Sequence, residues 1–337
     1  MQPVPQASPA MVLMFLGVVS AILISWGIAA VVLSQRAALL PRETRRVVPW
    51  GPVSVFAVVV LYVVMMLLVR VGYEVINPSI PGKPPIPLPL RDTLLLSGIA
   101  SLAMIYLTPL LLKMTSGARL ADLGLTTRDF GKNLARGVWF CFLAMPLVYG
   151  VSIAASLTVK RDKHPVEQMI EQAKEPSVIV IAALVAVVAA PIAEELLFRG
   201  VLLGWFWKIR LPSRDRDFAI NPEVEEDPEI LTIDHNSYGA MMEIEPPVTI
   251  SMPKDPFAGR GRHDLTANIA VSLIFAGLHA SVWPTPVPLF FLSLVLGEIY
   301  RRTGSLVGPI VLHMTFNGLS TMTMILVSQA ANGVVKP

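Results

Sequence analysis

The run Ala193-Glu194-Glu195-Leu196-Leu197 places two adjacent carboxylates inside a stretch so apolar that it belongs in lipid or in a protein core. An ionised carboxylate at the middle of a membrane helix costs about 2.5 to 3.5 kcal/mol, so a glutamate there marks a functional site by default and calls for a partner. Successive helical residues diverge by about 100°, so these two side chains cannot face one target. Arg199 follows Glu195 by four residues, the favoured acid-then-base order for a same-face pair. Arg199 is therefore expected to neutralise Glu195, leaving Glu194 turned elsewhere and free for chemistry. Pro191 lies just upstream. It takes an amide donor from the Val187 carbonyl and allows a kink, which in lipid needs a polar partner from within the protein.

Of the five histidines, His164, His235 and His263 fall in segments that read as loops, where a solvated imidazole needs no explanation. His279 closes the apolar run Phe275-Ala276-Gly277-Leu278-His279, and His313 opens His313-Met314-Thr315-Phe316-Asn317. His313 and Asn317 are four apart and project from one helix face. A lone His or Asn in a membrane helix is more often a structural bond to a neighbour. An acid, two imidazoles and an amide in separate apolar segments predict instead one shared polar site. A carboxylate with a neighbouring imidazole can take a proton from water. His and Asn donors can hold the oxyanion that forms on an attacked carbonyl, worth about 2.7 to 4 kcal/mol per donor in other hydrolases. Peptide hydrolysis needs both functions. No competing nucleophile stands out: Cys141 has no nearby base in the sequence, and neither a Gly-x-Ser-x-Gly elbow nor a His-Glu-x-x-His motif is present. Two histidines and a glutamate also suit zinc, so the residue types alone leave a zinc peptidase open, and equally a non-catalytic membrane protein that uses the cluster as helix glue.

The elements that must position these groups are transmembrane helices. Of 337 residues 54% are hydrophobic and 15% charged, against about 25% charged in a soluble domain. Runs long enough for a hydrocarbon core, about 20 helical residues, lie at 10–33, 52–69, 94–112, 138–157, 178–207 and 306–327, with shorter ones at 268–282 and 288–300 joined by a Pro-rich turn. An all-α, polytopic bundle of about eight helices is expected. The first run lacks a basic n-region and is too long for a signal peptide, which makes it an uncleaved anchor. Basic residues after the first, third and seventh runs (Arg36 to Arg46, Lys113 to Arg136, Arg301 and Arg302) outnumber those on the other side (Arg70, Lys83, Arg91 and Lys160 to Lys174). That bias puts both termini outside the cytoplasm of a multi-pass cell-membrane protein. The formal charge of +3 is spread over juxtamembrane flanks and gives no sign of a nucleic-acid partner. The single cysteine excludes a disulfide within the chain. Residues 78–90 read as a polyproline spacer. Residues 208–266, with twelve acids and several prolines, read as a flexible cytoplasmic insertion with little packed core. The expected organisation is an N-terminal helical part, 1–112, and a core made of 113–207 and 267–328 around the insertion.

Glu194-Glu195-x-x-x-Arg199, then Phe275-x-x-x-His279, then His313-x-x-x-Asn317 resembles the three-part signature of the CAAX prenyl endopeptidase and bacteriocin-processing family of intramembrane glutamate proteases. The stretch Gly297 to Leu306 is similar to that family's approach to its last motif, and Leu123-Gly124-Leu125 is faintly similar to a segment that precedes the core in bacterial members. The resemblance covers about 186–320 and leaves the first two helices unexplained. It implies a water-activating dyad at Glu194 and His279, an oxyanion-binding pair at His313 and Asn317, supporting roles for Glu195, Arg199 and Phe275, and no cofactor or resident metal. The implied partner is a membrane-associated peptide or protein. Eukaryotic members trim prenylated proteins, and some bacterial members are implicated in bacteriocin maturation or immunity. The insertion makes the gap between the first two motifs long for a bacterial-type member.

Overall fold

The computed structural model describes residues 8–40, 47–77, 90–159, 167, 168, 170, 176–210 and 261–333. All of the 78–90 polyproline expectation but Leu90, which opens a helix, most of the acidic insertion, and His164 and His235 lie outside the described residues. Those described are 86% helical and contain no strand. In chain order the helices are α1 (Pro9–Ser34), α2 (Pro52–Ile76), α3 (Leu90–Ser116), α4 (Phe130–Thr158), α5 (176–210), α6 (Gly261–Gly277), α7 (Pro286–Thr303) and α8 (Val307–Gly333). Four of them open on proline, whose missing N–H is no loss in a first turn and whose φ is already helical. At α1 the Ser8 hydroxyl adds a cap by accepting from the Met11 amide at 3.3 Å.

Six helices are long and apolar enough to cross a membrane: α1 to α5 and α8. The chain is a multi-pass membrane protein. The other two elements exist as helices but fall short of the same standard. The apolar part of α6 runs only from Leu265 to Gly277, and α7 carries Glu298, Arg301 and Arg302 near its end. The insertion is also narrower than 208–266: residues up to Arg210 continue α5, and α6 starts at Gly261, so the backbone of His263 is in a helix rather than a loop.

Large apolar side chains such as Leu13, Phe15, Val53 and Phe56 point outward from α1 and α2, the arrangement that a hydrocarbon solvent favours and water does not. Inside, α8 packs along α4, α6 pairs with α7, and α2 pairs with α3. One apolar core joins Trp50, Val55 and Val58 to Phe198 and Val201 of α5 and to Phe275 of α6. A second joins Cys141 and Met145 of α4 to Leu292 and Leu296 of α7 and Leu312 of α8. The corner between α7 and α8 is sealed by a short turn, Leu120–Leu123, and its following glycine. Gly124 has φ +82°, and a Cβ there would meet the Gly304 carbonyl at 2.8 Å. Only glycine fits a left-handed position at that separation. The contact is locked by Leu306 N–H on the Gly124 carbonyl at 2.9 Å and by Tyr300 Oη on the Leu123 carbonyl at 3.3 Å.

Candidate active site

Helix α5 is not a uniform α-helix where it carries the acid pair. It is α-helical over Pro176–Leu184, π-helical over Val185–Ala189, α-helical again over Ala190–Glu195, π-helical over Leu196–Leu203, and α-helical over Gly204–Arg210. Wide π turns are uncommon and gather at functional sites. Pro191 accounts for part of the first. The Ala190 amide donates to the Val185 carbonyl, five residues back, and in that register the next donor is Pro191, which has no N–H. The Ala186 carbonyl accepts from Asn317 Nδ2 of α8 at 2.9 Å. The freed carbonyl next to Pro191 thus finds a side-chain partner on another helix, as a membrane interior requires.

The two glutamates have separate surroundings. Glu195 is fully buried, and its Oε1 accepts from Arg199 Nη1 at 2.9 Å and lies 2.8 Å from His313 Nδ1. Arg199 is itself 1% exposed; its Nη2 donates to the Ser293 hydroxyl at 2.8 Å and carbonyl at 3.2 Å, and its guanidinium lies 4.9 Å from the centre of the Phe275 ring. Buried charge is tolerated only when paired and hydrogen-bonded, and Arg199 meets both conditions. Glu195 Oε2, in contrast, is buried with no hydrogen-bond partner among the described residues. The Glu194 side chain is 32% exposed, and its Oε2 sits 3.9 Å from His313 Nε2, beyond direct hydrogen-bond distance. Since a carboxylate oxygen only accepts, His313 Nδ1 carries a proton toward Glu195, and its Nε2 edge faces Glu194.

His279 is not inside a helix. Helix α6 stops at Gly277, and tight bonds from His279 N–H to the Ala276 carbonyl and from Ala280 N–H to the Gly277 carbonyl turn the chain toward α7. The apolar run up to Val282 reads as continuous helix, but Pro284 and Pro286 cannot extend one. His279 Nδ1 is 2.8 Å from the Phe275 carbonyl, so Nδ1 carries a proton, and in the neutral ring Nε2 holds the lone pair. The Phe275 ring centre lies 5.0 Å from that of His279 and 6.0 Å from that of His313. The structure therefore sets Arg199, His279 and His313 about the Phe275 ring, joins Glu195 to Arg199 and His313 and brings Glu194 to His313, with Asn317 on the adjoining π turn. Glu194 meets His313, and no hydrogen bond or ion pair joins it to His279 among the described residues. No group of three or more His, Cys, Asp or Glu side chains arranged to hold a metal ion occurs among the described residues.

Two contributors escaped the sequence reading. Ser293 looks like one small polar residue in an apolar helix, yet it is the second anchor of Arg199. Trp50 donates its indole N–H to the Val201 carbonyl in the second π segment at 3.2 Å. Nothing in spacing or motif could connect residue 50 to position 201, because the contact is made by tertiary packing.

All three motifs fall within residues 176–319, which match the family described as Type II CAAX prenyl endopeptidase Rce1-like. The chain carries an Rce1-like domain. No curated protein and no solved structure matches it. The Rce1-like domain accounts for α5, α6, α7 and the first half of α8, under half of the chain, and Trp50 lies outside it.

Proposed function

We propose that the protein is an intramembrane endopeptidase that hydrolyses a peptide bond with water activated by Glu194, of the kind named for the CAAX prenyl endopeptidases its domain resembles. The observation that carries this reading is the division of labour between adjacent carboxylates. Glu195 is spent on Arg199 and His313, while Glu194 is partly open, makes no hydrogen bond among the described residues and lies beside an imidazole edge. In this reading Glu194 takes a proton from water as the oxygen attacks the scissile carbonyl. His279, with its Nε2 lone pair, orients that water by accepting a hydrogen bond from its other O–H. The oxyanion is received by His313 Nε2–H and by the second N–H of Asn317 Nδ2, the first being held by Ala186. For Nε2 to donate while Nδ1–H faces Glu195, the His313 ring carries both protons, and the two glutamates, Arg199 and His313 then sum to zero charge, which suits a low-dielectric site. Collapse of the tetrahedral intermediate breaks the C–N bond, and the proton on Glu194 passes to the leaving amine.

The substrate in this reading is a membrane-associated peptide or protein, and a prenylated CaaX peptide is the first to try. The charge bias of the flanks supports a topology with both termini outside the cytoplasm. The decisive measurement uses purified protein in liposomes with a fluorogenic farnesylated CaaX peptide and a library of unmodified peptides. Glu194→Gln keeps the shape but cannot accept a proton, and is expected to abolish turnover with little change in melting temperature. Full turnover by that variant would remove glutamate from the mechanism. Turnover that disappears with chelators and returns with zinc would favour the zinc reading instead.

A further inference from the structure

We propose that Trp50, outside the Rce1-like domain, is a positioning residue that fixes the π register of α5 and so aims Arg199 and Glu195. The inference rests on the reading of the acid pair as the reacting site. Trp50 is completely buried, just ahead of α2, and its indole N–H reaches the Val201 carbonyl at 3.2 Å, two residues past Arg199. The same short stretch is gripped from the other side: Lys208 Nζ donates to the carbonyls of Pro49 and Trp50, each at 3.1 Å. Farther back, Arg302 Nη1 holds the Leu40 carbonyl at 3.3 Å. The link between α1 and α2 is thus bonded directly to the helix that carries the acids.

The position of that bond is informative. The π segment ends at Leu203, and the Gly204 amide reaches back to Val201 in a tight turn as the α-helix resumes. Val201 O therefore sits where the register changes. A change of register is not tied to one residue by backbone bonding alone, since a wide turn can slide along a helix by exchanging one carbonyl for the next. A side-chain donor fixed from outside stops the slide. A slip of one residue would rotate Arg199 by about 100°, away from Glu195 and Ser293, and would free the carboxylate that orients His313. The first π segment has the matching device in Asn317 on Ala186. Each wide turn flanking the acid pair is pinned by a donor from another part of the chain.

The test uses the full-length protein in liposomes and compares Trp50→Phe, which keeps the ring and loses the donor, with Trp50→His, which keeps a ring N–H. Hydrogen exchange across residues 196–206 is expected to quicken about tenfold in Trp50→Phe, the equivalent of one buried hydrogen bond, with exchange along α8 unchanged. In the peptide assay kcat should fall by a similar factor at constant KM, and Trp50→His should recover part of both effects. Unchanged exchange across 196–206 in Trp50→Phe overturns the proposal, as does an equal effect of the two variants. If Trp50→Phe does not fold, Lys208→Met loosens the same stretch. Faster exchange in 196–206 then supports the proposal, and no change overturns it. Glu194→Gln in the same assay separates the two failures: an active Glu194→Gln removes the reading of the site, whereas an inactive one beside a fully normal Trp50→Phe removes only the role of Trp50.

Discussion

Glu195→Gln tests the pairing at the centre of the site. One oxygen of Glu195 serves both Arg199 at 2.9 Å and His313 at 2.8 Å, and the other has no partner among the described residues. A glutamine that keeps its carbonyl at the shared position retains both hydrogen bonds in outline and loses the charge. Arg199 then becomes a buried cation without its carboxylate, while its bonds to Ser293 and its contact with Phe275 stay as they are in the wild type. Breaking a buried pair in this way costs about 3 to 5 kcal/mol. The new amide lands where Glu195 Oε2 now stands without an acceptor among the described residues, and an unsatisfied buried donor adds about 1 to 3 kcal/mol. The net expectation is a loss of about 4 to 8 kcal/mol, and at about 2 to 4 °C per kcal/mol a fall in melting temperature of about 8 to 30 °C. Thermal unfolding in detergent, read by intrinsic fluorescence, measures it. The double variant Glu195→Gln/Arg199→Met removes the stranded cation and should regain stability, because an apolar replacement of a buried pair is often neutral. It should stay poorly active, since His313 has lost its carboxylate. A Glu195→Gln protein as stable as the wild type would refute the argument that the Glu195 charge holds Arg199 in the core.

The remaining tests address the other members of the site. His279→Ala and Glu194→Gln should act as one unit, so the double variant should be scarcely slower than the worse single one; losses that multiply would assign them separate steps. Asn317→Ala should leave measurable turnover through His313 but lower the melting temperature, because the Ala186 carbonyl loses its side-chain donor at a cost of about 1 to 3 kcal/mol; full stability would show that this bond contributes nothing. Replacing residues 212–260 with a short Gly/Ser linker should preserve hydrolysis of a small peptide, and a folded but inactive product would show that this segment completes the site.

The sequence was most readable where chemistry and helical spacing agree. The order of Glu195 and Arg199 gives a same-face pair, and the structure has the two 2.9 Å apart even though the backbone widens into a π turn from Leu196 onward. The apolar runs located the eight helices α1 to α8 among the described residues, six of them long and apolar enough to span lipid, which imposes one solution on the backbone. They could not show where α6 ends, since Leu278 and Val282 are as apolar as the residues before them and hydropathy does not register the break at Gly277. The presence of a polar partner for the Pro191 distortion was legible, but its register was not. The expectation named the Val187 carbonyl, correct for an α-helix, whereas Asn317 reaches Ala186, the carbonyl that faces the proline in a π turn. Trp50 and Ser293 were invisible for a different reason: their roles depend on which helices pack together, and no local pattern encodes that.

The two π segments explain why neighbouring residues can hold different tasks. In an uninterrupted α-helix the separation of Glu194 and Glu195 would follow from spacing alone, and one of the two acids would turn toward lipid or an unrelated helix. Here the stretch Ala190–Glu195 is a short α-helical piece between two wide turns, so its orientation about the axis is set by those turns and not by the distant ends of α5. Asn317 pins one turn and Trp50 the other, while Arg199, inside the second turn, is tied to Ser293 on α7. The angle at which Glu194 meets His313 is therefore fixed by contacts from α8, from α7 and from the stretch before α2. One of those donors, Asn317, lies within the residues matched by the Rce1-like family and bonds the helix backbone; in the proposed mechanism it also binds the oxyanion, so its substitution would disturb both together. Trp50 lies far from the reacting atoms in sequence and gives no second N–H to the substrate, which makes it the cleaner probe of geometry alone.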